Sequence, residues 1–164
     1  MIVRNVFDRI LARGCPLHCA VLDWDINGVE TLLQEEYNIS AVDKGGRNAM
    51  HLIAAKGCDR PKCEEITNNL LRRGDFEDAK DNVLQWTALR YAIKTENWLV
   101  VEQLLQRKCK ANDLELIKQR ADDESYMRKI IGDIKKRNCS LLLQYLASIC
   151  ANTQWTTSLH DTLA

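Results

Sequence analysis

Cys15-Pro16-Leu17-His18, Asn48-Ala49-Met50-His51 and Thr87-Ala88-Leu89-Arg90 are three versions of one four-residue phrase. A paired apolar step follows each at helical distance: Leu32-Leu33, Leu70-Leu71 and Leu104-Leu105. In the first copy Val29 precedes the pair, and in the third Val101 stands at the same offset. Two copies in one register define a repeat. The second copy is stretched, and its surplus lies in Lys56-Gly57-Cys58-Asp59-Arg60-Pro61-Lys62-Cys63. Gly and Pro punctuate that segment, so it reads as a lengthened turn between two helices. Cys15 to Asn48 is a step of 33 residues and Asn48 to Thr87 a step of 39, with one further surplus residue near Val83.

Each residue type in this frame has a physical role. Asn48 and Thr87 can cap the helix that follows by accepting from an otherwise unpaired backbone N–H. Pro16 suits a first helical turn, where no N–H partner is needed. Cys15 is a poor cap. The small residues Ala20, Ala54 and Ala92 let neighbouring helices approach. Gly74 stands where a helix-ending glycine tolerates positive φ.

The phrase and its spacing resemble the ankyrin-repeat family, whose first helix opens with Thr-Pro-Leu-His and whose second ends in paired leucines, at a period of about 33 residues. The resemblance implies an all-α solenoid of about three recognisable repeats with degenerate helical caps. Repeat 1 covers 15–47, repeat 2 with its inserted turn 48–86, and repeat 3 87–112. It also implies that His18 and His51 make structural hydrogen bonds within and between repeats, a position that Arg90 takes in the third copy. Asp43-Lys44-Gly45-Gly46 matches the tight hairpin between repeats. Asp81-Asn82-Val83-Leu84-Gln85-Trp86 holds the equivalent place but lacks the glycine.

The ends are less regular. Val3, Val6, Phe7, Ile10 and Leu11 form a helical stripe, so 1–14 reads as an N-terminal cap helix, which repeat arrays need to cover exposed core. Residues 113–151 read as a helical cap or diverged fourth repeat, with Asp122-Asp123-Glu124 suited to a helix N-terminus. The ankyrin domain thus extends over 1–151, and 152–164 reads as a flexible tail.

Composition narrows the function. The formal net charge is zero, so no general affinity for nucleic acid or acidic membrane is expected. Lys135-Lys136-Arg137 reads as a solvated helix face. Arg4, Asp8 and Arg9 break the N-terminus as a signal peptide, and no apolar stretch approaches the roughly 20 residues of a membrane span. The expected compartment is the cytoplasm, with the nucleus open to a chain of this size. The seven cysteines show no disulfide framework and read as reduced thiols acting as small core residues, with Cys15, Cys19 and Cys109 inside the repeat frame. Cys15-x-x-His18-Cys19 is explained by the framework histidine, and Cys58 and Cys63 read as incidental surface thiols, since a complete zinc site needs four ligands. No metal, cofactor or catalytic residue is expected: the phosphate-loop, nucleophile-elbow and His-Glu-x-x-His patterns are missing.

Family members bind through hairpin tips and the exposed side of the first helices. Transferred by position, the protein-binding residues are Lys44 and Arg47, then Val83, Leu84, Gln85 and Trp86, on hairpins. Leu22, Asp23 and Trp24, then Lys56, then Lys94 and Thr95, come from the first helices. The apolar cluster Val83-Leu84-Trp86 stands out, because aromatic anchors dominate interface energetics. Trp24 replaces the glycine that usually ends a first helix. The chain is expected to be a non-catalytic regulatory subunit or inhibitor, with a protein kinase in cell-cycle control as partner. An IκB-like inhibitor of a Rel-type transcription factor and a host, viral or bacterial ankyrin adaptor are the alternatives.

Overall fold

The computed structural model describes residues 14–35, 37–56, 61–74, 78–107, 111–119, 123–137 and 139–150. Among them every regular element is helical. In chain order these are α1 (Pro16–Asp23), α2 (Ile26–Gln34), α3 (Ala49–Lys56), α4 (Pro61–Arg73), α5 (Ala88–Lys94) and α6 (Trp98–Gln106). A 3-10 turn (Ala111–Leu114) then leads into α7 (Glu115–Lys118), α8 (Glu124–Lys136) and α9 (Ser140–Cys150).

The helices stack in two layers. α1, α3 and α5 pack side by side, and α2, α4, α6 and α9 form the second row, with each phrase-bearing helix paired to the one after it. α3 shows why. Every residue from Ala49 to Ala55 is buried, as a helix wedged between neighbours requires. α4 instead buries one stripe, Cys63, Ile66, Thr67, Leu70 and Leu71, at the spacing of a single helical face.

Local chemistry sets the helix ends. Thr87 accepts from the Arg90 N–H at 3.1 Å and Asn48 from the His51 N–H at 3.1 Å. Cys15 makes no such bond, and Pro16 opens α1 in its place. Asp123 caps α8 through the Tyr126 N–H at 3.0 Å. Trp24 (φ 58) and Glu96 (φ 56) are left-handed at the same frame position, where α1 and α5 turn into their partners. Such a conformation strains a side chain. Backbone bonds from Asp25 to Ala20 (3.0 Å) and from Asn97 to Ala92 (2.8 Å) hold it in place.

Several expectations need correction. The surplus of the second repeat is not all turn: α4 starts at Pro61 and has 13 residues, against nine in α2 and α6. Cys63 is accordingly a core residue with 0% exposure, not a surface thiol. Cys19 is exposed and Cys15 only half-buried, so neither acts as a core filler. Gly74 closes α4 through a bond to Leu70 O at 3.0 Å. The segments 1–13 and 151–164, with Cys58, Arg60, Cys109 and Asp122, lie outside the described residues.

The last helices join the stack through one carboxylate. Glu102 on α6, 5% exposed, accepts from the Leu141 and Leu142 N–H groups, both at 2.9 Å. These are orphan donors at the start of α9. α8 lays Met127, Ile130, Ile131 and Ile134 into the core. Its Lys129 reaches Glu96 at 2.6 Å.

Candidate functional site

The inter-repeat hairpins are built on buried aspartates. Asp43 Oδ1 accepts from the Gly45 (2.8 Å) and Arg47 (2.9 Å) N–H groups, and the turn closes with Asp43 N to Arg47 O at 2.9 Å. Gly46 takes φ 75. In the second hairpin Asp81 accepts from the Val83, Leu84 and Trp86 N–H groups at 2.7–2.9 Å, and Asp81 N closes on Trp86 O at 3.0 Å. The second loop is one residue longer, and Gln85 (φ 55) takes the place of the glycine. The two hairpins are themselves joined, Asn82 N to Gly45 O at 2.9 Å.

The phrase histidines tie each first helix to the hairpin that follows it. His18 Nε2 meets Arg47 O at 2.7 Å, and His51 Nε2 meets Trp86 O at 3.0 Å. An imidazole N–H is the donor in each case, since the carbonyl can only accept. In the third copy Asp113 does this work, bonding the Thr87 hydroxyl and lying 3.9 Å from Arg90 Nη1.

Against this frame the transferred residues divide. Val83 and Leu84 are the outermost, at 75% and 49% exposure. Trp86 is only half-exposed: it packs edge-on to Tyr91 with centroids 5.3 Å apart, and the Arg90 guanidinium lies 5.0 Å from its ring. It is part support, part surface. Gln85 is exposed and bonds Asp81 O at 3.0 Å. Lys44, Asp23 and Lys94 are exposed. Leu22 is 4% exposed, so its side chain faces the core, contrary to its expected place on the binding surface. Arg47 is held against Asp43 at 2.8 Å and serves the hairpin. Lys56 donates to Leu22 O and sits 4.2 Å above the Trp24 ring, while Thr95 donates to Ala54 O at 2.7 Å. These two links bridge successive first helices. Trp98 is fully buried.

Sequence reasoning missed Asp81, Tyr91 and Glu102. The recurrence of Asp ahead of the second and third phrases, Asp43 and Asp81, was a usable signal for the first. No local pattern marks Glu102, whose partners are about 40 residues away.

Burial lowers the pKa of both phrase histidines, against the opposing pull of the carbonyls of Arg47 and Trp86. For Asp81, burial pushes upward, but the N–H bonds from Leu84, Trp86 and Val83 together hold its carboxyl below the usual range. The unfolded chain therefore binds more protons than the folded one wherever these groups titrate. Stability from the histidines is complete above about pH 6.5 and is lost as pH falls below it; that from Asp81 follows below about pH 4. The urea midpoint is expected to fall between about pH 7.5 and about pH 5, and a flat midpoint over that range would refute this account.

Among the described residues no three His, Cys, Asp or Glu side chains gather as metal ligands, and no helix is long and apolar enough to cross a membrane. The open groove between α2 and α4, about 400 Å³, is lined by Glu30, Glu64, Glu65, Asn68 and Arg72 among others. It contains neither histidine nor cysteine.

The stacked helix pairs and their aspartate-capped hairpins agree with a comparison of sequences. A family model described as ankyrin repeats (3 copies) matches residues 14–115. The chain belongs to the ankyrin-repeat family. Its repeats form a protein–protein interaction module, and ankyrin-repeat proteins are in general non-catalytic scaffolds. No curated protein and no solved structure matches the chain.

Proposed function

We propose that this ankyrin-repeat chain is a non-catalytic regulatory subunit or inhibitor whose partner is a protein kinase in cell-cycle control, acting in the cytoplasm. The observation that carries a binding role is the tip of the second hairpin. Val83 and Leu84 stand largely in solvent on a turn whose backbone is fixed by Asp81. Rigid exposed apolar groups lose little entropy on docking, and exposed apolar surface of this kind marks interaction sites. Trp86, braced by Tyr91 and Arg90, offers a pre-set aromatic edge beside them. Lys44 and Lys94 supply the polar rim, with Asp23 and Trp24 further along the first helices. The kinase rests on resemblance to small ankyrin proteins that regulate kinases, and fold alone does not specify it.

The test is co-purification from the source cells, with the bound protein identified by mass spectrometry. A kinase that elutes with the wild-type chain and is lost from Val83→Asp/Leu84→Asp supports the reading. Both positions are exposed, so stability is expected to change by less than about 0.5 kcal/mol while affinity falls at least tenfold. Undiminished recovery of the partner by the double variant would exclude this surface. A Rel-type factor in place of a kinase would exclude the kinase.

A further inference from the structure

We infer that Ser140 is a phosphorylation site for a serine/threonine kinase that reads basic sequence, and that its phosphate competes with Glu102 for the first amides of α9. The basic run Lys135-Lys136-Arg137 is little used by the stack. Lys135 and Lys136 are exposed, and Lys136 lies 4.0 Å from Asp133 in an exposed pair of the kind that contributes little. From Ile134 to Cys150 the chain carries no Asp or Glu, so positive charge is in local excess. Of all the arginines only Arg137 has a Ser or Thr three residues after it, and no lysine has one.

That residue is Ser140. It is exposed, and Leu141 beside it is 39% exposed. Among the described residues the other large exposed apolar side chains, Val42, Val83 and Leu84, belong to the hairpins. Cations ahead of a serine and an apolar residue behind it suit an acidic peptide groove with an apolar pocket, and such charge patterns pair kinases with substrates. Ser125 is exposed too, but it follows Asp122, Asp123 and Glu124, which repel that groove.

The structure fixes what a phosphate meets at Ser140, the first residue of α9. The Leu141 and Leu142 N–H groups already donate to Glu102, both at 2.9 Å. A phosphoserine brings nearly two negative charges and three acceptor oxygens, and a helix start attracts it. Two amides cannot satisfy two anions. Where the phosphate takes them, Glu102, 5% exposed, is left buried without its donors. Where Glu102 keeps them, the phosphate stands against a carboxylate. Either way the tie between α6 and α9 weakens. The coupling is reciprocal: a weaker tie makes Ser140 easier to modify. Cys139, 1% exposed with Sγ 3.7 Å from Trp98 O, must leave its seat before the segment can lie extended in a kinase groove.

In the reaction Ser140 Oγ attacks the γ-phosphorus of Mg-ATP. The Oγ–P bond forms, the bond from that phosphorus to the bridging oxygen of the β-phosphate breaks, ADP leaves, and the hydroxyl proton passes to the catalytic aspartate of the kinase.

The experiment incubates the full, reduced chain with Mg-ATP and the catalytic subunit of cyclic-AMP-dependent protein kinase, under conditions that fully modify a standard substrate peptide. Mass spectrometry maps the phosphate. About one phosphate per chain is expected, on Ser140, with none there in Ser140→Ala. Arg137→Ala, checked by circular dichroism, is expected to react at least tenfold more slowly, and Glu102→Gln at least threefold faster than wild type. Maleimide labelling of Cys139 is expected to rise at least threefold on phosphorylation. An unmodified Ser140, or an undiminished rate in Arg137→Ala, would overturn the site. Unchanged Cys139 labelling of the phosphorylated chain, or no acceleration in Glu102→Gln, would overturn the competition with Glu102.

Discussion

Replacing His51 with alanine is expected to destabilise the protein by about 3–5 kcal/mol, a large part of the stability of an ordinary domain. The side chain is fully buried. It contacts three elements: Asn48 at the head of its own helix, Trp86 O in the next hairpin, and Tyr91 at 5.9 Å between centroids. Truncation leaves a cavity between packed helices and strands a buried carbonyl and a capping amide, and these costs add. Urea unfolding read by tryptophan fluorescence and by far-UV circular dichroism measures it. His51→Gln, which can still donate toward Trp86 O, is expected to lose less. A loss for His51→Ala below about 1 kcal/mol would mean that the link between helix and hairpin is dispensable.

Glu102→Ala is expected to act at the other end of the stack, with a loss of about 2–4 kcal/mol. Its carboxylate satisfies two N–H groups at the positive end of α9, in a position almost closed to water. Negative charge at that end of a helix is favourable. Glu102→Gln should fall between wild type and alanine, since its amide oxygen serves one N–H while its NH2 opposes the other. A site-specific readout is Cys139. Burial, then Glu102, pushes its thiol up to about 11, and its Sγ lies 3.7 Å from Trp98 O. Freeing α9 should expose Cys139, and maleimide labelling mapped by mass spectrometry should rise at least tenfold there while Cys63 stays protected. Unchanged labelling of Cys139 would show that α9 is held by its apolar face alone.

The fold was legible because its determinants are local and recur. Phrase, paired leucines and hairpin each satisfy a short-range requirement: a cap, a buried stripe or a tight turn. The second repeat shows the limit of that reading. Pro61 was read as part of a lengthened turn, but it begins a helix instead of ending a loop. Proline is tolerated in a first helical turn and in a turn alike, and the residues after it could not decide between them. The binding surface was less legible, because exposure depends on what a side chain meets across the stack. Val83 and Trp86 look equivalent in sequence. Only the placement of Tyr91 and Arg90 makes one a tip and the other a brace. Leu22 follows the buried phrase on the same helix, and its inward direction is set by the neighbouring helix pair.

The histidine-to-hairpin bonds have a practical corollary for anyone dividing this protein. Each phrase helix finds its polar complement downstream, at Arg47 O, Trp86 O and Asp113, so the covalent unit of the motif and the unit that satisfies its own polar groups are offset by one loop. Fragments cut just ahead of a loop will carry an unquenched imidazole or guanidinium, whereas cuts just beyond it, after 47, 86 or 113, leave every phrase complete.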